Sequence, residues 1–357
     1  MKKNRIRVLH VNDEKKYGGG ENQTFLLIKE LEKLNVENYI ILRRKSLLHY
    51  KLLKHLPENR FFFLTLSSFF ELPILTFYVY KKIYPNIVHT HTGRSSIGLK
   101  LIPKKVLKII HRRIPDKLSK RALSRIKKSD SIIAISDFIK NKLIEQDVEP
   151  NKINKIYSSY DDYAQKPNIM EFSGNLCFAY IGHFRKHKGI DVLLEAVNLI
   201  KDNLNSVKIL IIGEGEEEKN LKKLCYDLGV SSIVEFIPFQ KNPLDWVKSI
   251  DLLLLPSRSE GLGSILLEAQ RLGTPILSTN VGGISEIVEH EKTGWLVPAN
   301  NVHMLADAIN FLAENENVRV NLAIKALEKT KNEFSSKRMA IYTKNLYLNL
   351  MNNPYSA

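Results

Sequence analysis

Short apolar runs alternate with segments of helical periodicity along most of the chain. In the first half, such runs predict strands at residues 7–11, 38–42, 61–66, 87–90, 106–110 and 131–135. Between the first two, Phe25, Ile28 and Leu31 recur at helical spacing and predict a helix over residues 21–34. Repeated strand–helix units are typical of a doubly wound domain, in which a parallel sheet gathers ligands at its strand ends.

The second half repeats this alternation. Its predicted strands cover residues 176–181, 207–212, 233–237, 252–255 and 275–278, and its predicted helices cover residues 216–228, 264–272, 302–313 and 318–331. A polar stretch over residues 161–175 separates the two halves. We therefore expect two α/β domains, at residues 1–165 and 172–335, followed by a last helix at 336–352.

Residues 61–84 form an unusually apolar segment, interrupted by Glu71 and Pro73. These interruptions exclude a membrane-spanning helix, and a buried strand followed by a helix fits better. The aromatic side chains of this helix either pack in the core or reach a membrane interface.

The segment Pro256–Glu268 follows directly on a predicted strand and contains two glycines before a predicted helix. Glycines let backbone N–H groups approach a ligand closely, and the start of a helix carries a positive dipole end, so this loop predicts a phosphate site. Two carboxylates bracket the loop and can accept hydrogen bonds from a sugar and a ribose. The predicted ligand contacts are Glu260, Gly261, Leu262, Gly263, Ser264 and Glu268. The alternative is that Glu260 caps a loop and Glu268 is a solvated helix residue.

A second loop, after the predicted strand 176–181, contains His183, Arg185 and Lys188 just before a helix. Cations at such a position can neutralise the charge that builds on a diphosphate leaving group. A lysine-rich surface loop is the alternative. In the first domain, Gly18 and Gly19 belong to a glycine turn that either approaches a ligand or is simply mobile.

Histidines end two neighbouring strands of the first domain, His89 and His91 on one and His111 on the next. Such a pair can hold a metal, but no carboxylate adjoins it in sequence, and we expect no metal site. Arg112 and Arg113 either meet an acidic acceptor or are solvated.

Together these segments resemble the motifs of retaining glycosyltransferases of the GT-B fold, the large family that includes sucrose-phosphate synthases and bacterial lipopolysaccharide and mannosyl transferases. Glu260 and Glu268 match its E-x7-E motif, residues 18–21 its G-G-x-E, and residues 182–189 its G-R-L-x-x-x-K-G. The resemblance implies two Rossmann-like domains with parallel sheets facing across a cleft, and a last helix that crosses back to the first domain.

The same resemblance implies roles for individual residues. Glu260 would contact the donor sugar, Glu268 the ribose and Lys188 the phosphate, while His111 would touch the sugar near its C6 hydroxyl. His183 replaces the arginine of the family, and Arg185 can supply the missing charge. The implied reaction takes place on one face of the sugar, with the leaving phosphate oxygen accepting the acceptor proton. It requires no metal and no cofactor, and the nucleotide-diphosphate sugar is its donor substrate.

Charge is distributed unevenly over the 357 residues, which carry a net charge of +16. Residues 1–170 hold 34 Lys and Arg against 16 Asp and Glu, whereas the remainder holds 20 against 22. The basic half is expected to attract an anionic glycan or glycolipid acceptor and to make peripheral contact with an anionic membrane, unless its lysines are merely spread over solvated faces. Nucleic acid is not an expected partner, because interleaved aromatics and helix-turn-helix, zinc or RNP patterns are missing from the sequence.

Cys177 and Cys225 have no metal-like neighbours in sequence and are expected to be reduced packing residues. The amino terminus leads into a strand without the apolar region of a signal peptide, so we expect a cytoplasmic protein, at the inner leaflet if it is peripheral. The expected function is transfer of a sugar to a bacterial envelope glycan or lipopolysaccharide. A soluble sucrose- or glycogen-type synthase and an inactive GT-B scaffold are the alternatives.

Overall fold

The computed structural model describes residues 5–65, 68–160, 168–169, 176–204, 206–240 and 242–352. Contacts divide the chain into two compact units. Unit 1 contains Met1–Asp162 and Phe334–Ala357, and unit 2 contains Tyr163–Glu333. The predicted linker, residues 161–175, lies almost entirely outside the described residues.

Unit 1 is built on a sheet of seven parallel strands in the order β3-β2-β1-β4-β5-β6-β7. The strands are β1 Arg7–Val11, β2 Glu37–Arg43, β3 Phe61–Leu64, β4 Ile87–Thr90, β5 Leu107–Arg112, β6 Ser131–Ala134 and β7 Ile153–Lys155. Its first helices are α1 Gly19–Lys33, α2 Leu47–Leu52, α3 Ser68–Ile83, α4 Lys120–Lys127 and α5 Asp137–Ile144. Strand order reverses between β1 and β4, so the loops after these strands diverge and leave room for a ligand.

Unit 2 contains six parallel strands in the order β10-β9-β8-β11-β12-β13. They are β8 Leu176–Ile181, β9 Val207–Ile212, β10 Val234–Ile237, β11 Leu252–Leu255, β12 Ile276–Thr279 and β13 Trp295–Val297. The helices are α6 Ile190–Ile200, α7 Glu218–Asp227, α8 Pro243–Ser249, α9 Ser264–Leu272, α10 Ile284–Ile287, α11 Val302–Glu314 and α12 Glu316–Glu333. The order reverses between β8 and β11, and these strands are buried on both faces, as their unbroken apolar runs require.

The last helix, α13 Ser336–Asn352, belongs to unit 1 and packs on α1. Its buried residues include Met339, Ala340 and Tyr347, which join the same core as Leu27 and Leu31 of α1. The chain therefore returns to its first unit after completing the second, which confirms the expected crossing of the last helix.

The two parallel sheets confirm the predicted fold class. Strand β5 begins one residue later than predicted and ends two residues later, which places His111 inside the strand rather than after it. Helix α5 was not predicted, although Ser136 caps it by accepting a hydrogen bond from the backbone N–H of Ile139 at 3.1 Å. Of the predicted strand 61–66, the structure describes the portion Phe61–Leu64 as strand.

Candidate active site

Two loops meet where the strand order of unit 2 reverses. The loop after β8 contains Lys188, and the loop after β11 contains Glu260, 72 residues further along the chain. Lys188 Nζ donates to Glu260 Oε1 at 2.5 Å, and Ser257 Oγ donates to the same oxygen at 2.8 Å. Because Glu260 is 8% exposed, this pairing offsets the cost of burying its charge. The structure thus brings two predicted site residues into direct contact.

Glycines allow the backbones of these loops to approach each other. A Cβ on Gly189, at φ +69°, would lie 2.0 Å from the carbonyl oxygen of Pro256. A Cβ on Gly282, at φ +60°, would lie 1.9 Å from the carbonyl oxygen of Glu260, which also accepts from the N–H of Gly283 at 3.2 Å. Any side chain at these positions would displace the loop that carries Glu260.

Arg258 joins the two loops and was missed by sequence reasoning. Its guanidinium donates to both carboxylate oxygens of Asp191 at 2.8 Å and to the carbonyl oxygen of Lys186 at 2.6 Å. Its backbone N–H donates to the carbonyl oxygen of His187 at 2.7 Å. The hydrogen bonds to Asp191 raise the pKa of Arg258. Burial raises the pKa of Asp191, but its contacts with Arg258 outweigh burial and leave that pKa lowered. Arg258 therefore holds the turn Lys186–Lys188 in place.

The glycine loop ends at the start of α9 as predicted. Gly263 precedes α9 at φ +83° and has no side-chain oxygen with which to cap the helix. Ser264 is the first helical residue, and Gly261 and Leu262 are buried beside it. Glu268 is 8% exposed, so it is not the solvated helix residue of the alternative interpretation.

The loop after β8 carries the remaining cations. His183 is half-buried, and burial together with the charge of Arg185 lowers its pKa, so it is neutral near pH 7. Arg185 is exposed and precedes the turn that contains Lys188. Below the loop, Tyr180 donates its hydroxyl to the carbonyl oxygen of His183 at 2.8 Å, and burial raises the pKa of Tyr180 well above its usual range.

In unit 1, the glycine turn after β1 leads into α1. Gly18 precedes the helix and Gly19 is its first residue, two positions earlier than predicted. The backbone N–H of Gly18 donates to Glu21 Oε2 at 3.1 Å. Burial raises the pKa of Glu21, and the nearby charge of Arg113 opposes this rise. The turn is therefore anchored at its helical end by a buried carboxylate.

Four buried histidines form a cluster on one face of the unit 1 sheet: His10, His89, His91 and His111. The register explains the cluster, because His10 pairs with His89 and His89 pairs with Ile109, two residues before His111. Residues two apart on a strand share a face. His10 was missed in the sequence because it lies within a strand.

Hydrogen bonds fix the tautomers along part of this cluster. Asn38 donates its amide N–H to Glu32 at 2.9 Å, so its oxygen accepts from His10 Nε2 at 2.9 Å. His10 Nδ1 then accepts from His91 Nε2 at 2.8 Å, and His91 Nδ1 faces the guanidinium of Arg113 at 3.4 Å. Burial lowers the pKa of His10 to about 4 and those of the other three histidines well below their usual range. All four imidazoles are therefore neutral near pH 7.

His10, His89 and His91 each offer one ring nitrogen, and these three atoms lie within 4.8 Å of one another. Among the described residues, this group is the one most suited to a metal. His10 Nδ1 and His91 Nε2 are already hydrogen-bonded to each other, and Arg113 brings a positive charge beside His91. Both features oppose binding of a cation. The absence of a metal thus stays a prediction.

Arg112 and Arg113 are not solvated. Arg112 donates to the carbonyl oxygen of Asp116 at 2.7 Å, and Arg113 donates to that of His91 at 2.6 Å. Burial lowers the pKa of Arg113 to about 10. Its Nε is buried without a hydrogen-bond partner among the residues that the structure describes.

Two family models match adjoining parts of the chain. The model described as Glycosyltransferase Family 4 matches residues 17–162, and the model described as Glycosyl transferases group 1 matches residues 163–329. The chain belongs to the group 1 glycosyltransferases. The boundary between the two models coincides with the first boundary between the two units of this glycosyltransferase.

Curated relatives of this group 1 glycosyltransferase include an N-acetyl-alpha-D-glucosaminyl L-malate synthase of Bacillus anthracis, 29% identical over 63% of this chain and 61% of the relative. They also include the capsular polysaccharide biosynthesis glycosyltransferase CapM of Staphylococcus aureus, 28% identical over 57% of this chain and 58% of the relative. The chain thus spans under two thirds of the length of these relatives.

Solved structures share the fold over nearly the whole chain. HepE from Anabaena, crystallised with UDP and glucose, superposes with a TM-score of 0.82 at 18% identity, covering 96% of this chain and 100% of the other. A sucrose-phosphate synthase from Thermosynechococcus elongatus also reaches a TM-score of 0.82 at 18% identity, covering 97% of this chain and 99% of the other. At this level of identity the comparison establishes the GT-B fold alone.

The predicted site residues fall in both units. Those of unit 2 lie at the carboxyl ends of β8 and β11 and in the first turns of α9, where Lys188 and Glu260 are in contact. In unit 1, Gly18 and Gly19 follow the carboxyl end of β1, and His111 lies near the carboxyl end of β5.

None of the helices in the described part of the chain combines the length and the hydrophobicity that spanning a bilayer requires.

Proposed function

We propose that this protein is a retaining glycosyltransferase that moves a sugar from a nucleotide-diphosphate sugar to an anionic glycan or glycolipid of the bacterial envelope. The observation that carries the proposal is the buried contact between Lys188 and Glu260, beside the uncapped start of α9, at the point where the strand order of unit 2 reverses. In doubly wound sheets this is where nucleotides bind. HepE, which shares the fold, was crystallised in complex with UDP and glucose.

Each polar group at this site has a distinct role in the proposal. The Lys188 ammonium, the exposed Arg185 guanidinium and the amino end of α9 stabilise the diphosphate as it leaves. Glu260 accepts hydroxyl donors of the sugar, and Glu268 accepts those of the ribose. When the phosphate binds, Lys188 either leaves Glu260 for the phosphate or contacts both groups.

The proposed reaction is balanced without a metal or a protein nucleophile. The bond between the anomeric carbon and the diphosphate oxygen breaks, and the acceptor oxygen bonds to the same face of that carbon. The acceptor proton passes to the departing phosphate oxygen. Cations of the loop after β8 offset the negative charge that develops on the diphosphate, which is the task that a metal performs elsewhere. Burial lowers the pKa of His111 well below its usual range, so in the proposal it offers the sugar a neutral imidazole.

The acceptor is assigned to the anionic class because unit 1 carries most of the positive charge. Residues 1–170 contain 18 more basic than acidic side chains, and charge of this magnitude attracts anionic substrates. The relative named for glucosaminyl L-malate synthesis fits an anionic acceptor, since malate is an anion, and CapM is named for the synthesis of a capsular polysaccharide. An envelope glycan or lipopolysaccharide is the member of this class that we propose.

The fold shared with a sucrose-phosphate synthase makes a soluble synthase the second candidate. Acceptor assays separate the two, since a synthase uses a small sugar phosphate or a glucan, and the proposed enzyme uses an envelope glycan. A scaffold without activity is the third candidate, and it would bind a partner while transferring no sugar from any donor.

A thermal-shift panel of UDP, GDP, ADP, CMP and their sugars tests donor binding. One nucleoside diphosphate and its sugar are expected to raise the melting temperature, and Glu268→Ala is expected to reduce that shift. Glu328→Ala, an exposed glutamate of α12, is the matched control and should keep it. Equal shifts in Glu268→Ala and the wild type would remove Glu268 from the site. The anomeric configuration of the product, read by NMR, tests retention.

A further inference from the structure

The outer face of helix α3 is apolar. Phe70, Ile74 and Tyr78 recur every four residues and are 75%, 67% and 57% exposed. The opposite face of the helix is buried through Leu72 and Val79. A helix on the surface of a soluble domain usually carries polar residues on its outer face. Helix α3 departs from this rule, because it is apolar on both sides. We call Phe70, Ile74 and Tyr78 the apolar row. These three side chains do not pack in the core, whereas Tyr80 of the same helix does.

Helix α3 adjoins a basic part of unit 1. A 3-10 turn, Ser95–Leu101, packs on α3 at Gly98, where a Cβ would lie 2.6 Å from Thr76 Oγ1. The same turn contacts α4, because Arg125 Nε donates to Ser96 Oγ at 2.9 Å. Helix α3, the turn and α4 are therefore neighbours on the surface of this unit.

Exposed basic side chains lie on these three elements and just after the turn. They include Lys81, Lys82, Lys100, Lys104, Lys120 and Arg121, which we call the basic rim. Residues 94–105 and 117–128 contain no Asp or Glu. The carboxylate of Glu71, on α3, accepts from the backbone N–H and the hydroxyl of Thr65 at 2.8 to 3.0 Å. Leu101, beside Lys100 in the turn, is a further exposed apolar side chain.

We infer that the apolar row and the basic rim together form a docking surface for an anionic lipid bilayer. Aromatic and aliphatic side chains lose water in the interfacial region of a bilayer, and lysine and arginine attract its anionic headgroups. A second copy of this chain is a poorer occupant, because two basic rims would repel each other. The inference does not depend on sugar transfer, since bilayer binding needs no donor.

Sedimentation of the full chain with vesicles tests this surface. The protein is expected to bind vesicles of equal parts phosphatidylcholine and phosphatidylglycerol, to bind pure phosphatidylcholine vesicles far more weakly, and to be released by high salt. Lys120→Ser with Arg121→Ser should weaken binding roughly 25-fold, at about fivefold for each charge. Phe70→Ser with Ile74→Ser should weaken it by roughly tenfold or more.

Matched controls lie on unit 2. Val320→Ser with Ile324→Ser removes a similar exposed apolar pair from α12, and Lys219→Ser with Lys223→Ser removes an exposed basic pair from α7. Both should bind vesicles as the wild type does. Circular dichroism verifies the fold of each variant, and the donor thermal shift is measured in parallel, so a failure of the proposed function is seen separately.

Three results would overturn the inference. One is equal binding to both kinds of vesicle, and another is unchanged binding when either the row or the rim is substituted. The third is a dimer that forms with rising concentration, is lost when Phe70 and Ile74 are replaced, and occurs without vesicle binding. That result would assign the face to a second copy of the chain.

Discussion

Arg258→Ala is expected to weaken donor binding through the turn that carries Lys188. The guanidinium bridges Asp191 and the carbonyl oxygen of Lys186, and its Nε donates to Asn300 Oδ1 at 2.6 Å. Alanine removes these contacts but keeps the backbone hydrogen bond from residue 258 to His187. The turn should therefore loosen without detaching.

The size of the effect follows from the contacts that are lost. The side chains of Arg258 and Asp191 are 26% and 38% exposed, so screening leaves their ion pair about 1 kcal/mol. The hydrogen bonds to Lys186 and Asn300 add about 1 kcal/mol each. Because the backbone anchor remains, we expect about 1 to 2 kcal/mol of this sum to appear in donor affinity. That corresponds to a roughly 5- to 30-fold rise in Kd.

Isothermal titration calorimetry with the stabilising nucleoside diphosphate measures this rise in Kd. Arg258→Lys keeps the charge but not the two-pronged contact, and its Kd should fall between those of the wild type and Arg258→Ala. A double-mutant cycle with Asp191→Ala should give a coupling energy of about 1 kcal/mol. The reasoning is refuted if Arg258→Ala binds the nucleotide as the wild type does while Lys188→Ala does not.

Three further outcomes are expected. Gly282→Ala should unfold unit 2 at a lower temperature and abolish donor binding, because its Cβ would meet the Glu260 carbonyl oxygen at 1.9 Å. Gly273→Ala, also at positive φ but with nothing within 4 Å, should cost about 1 kcal/mol of stability and leave donor binding intact. Equal losses in the two variants would show that the close approach is unimportant. The histidine cluster should make the protein less stable in acid. The pKa of His10 is lowered to about 4 in the folded state, against about 6.5 in the unfolded state. The stability is therefore complete above pH 6.5 and falls by at most about 3 kcal/mol as the pH drops toward 4. Urea unfolding at pH 7.5 and 5 measures this loss, which should shrink in His10→Asn and persist when the exposed His303 is replaced; identical pH dependence in all three proteins would argue against it. Tyr347→Phe should destabilise unit 1 by about 1 kcal/mol through its lost contact with His89 Nδ1 and leave donor affinity unchanged; a change in affinity would contradict this separation.

Sequence patterns suffice to predict the strands and helices where strand, loop and helix follow one another directly in the chain. Strand β11, the glycine loop and α9 follow one another within Leu252–Leu272, and their bounds agree with the prediction. Burial on both faces makes β8 an unbroken apolar run and leaves β9 interrupted only by Lys208, so both strands could be predicted from the sequence. Short strands such as β13, with three residues, give too little periodicity to be recognised.

Contacts between distant segments could not be read in the same way. The pair of Arg258 and Asp191 spans 67 residues, and each residue alone looks like an ordinary surface charge. His10 stands in a strand whose neighbour became apparent only from the register with β4. The sequence did contain one usable signal, since histidines near the ends of three predicted parallel strands must gather if those strands are adjacent.

Lys188, paired with Glu260, is proposed to form part of a nucleotide-sugar site. Titration of the stabilising nucleoside diphosphate into Lys188→Ala tests it most directly, with Lys186→Ala, an exposed lysine of the same turn, as the matched control. A charged hydrogen bond to phosphate is worth about 1.5 to 3 kcal/mol, so Lys188→Ala should bind roughly 10- to 150-fold more weakly, and Lys186→Ala should bind within about twofold of the wild type. Equal affinity in all three proteins would contradict the account.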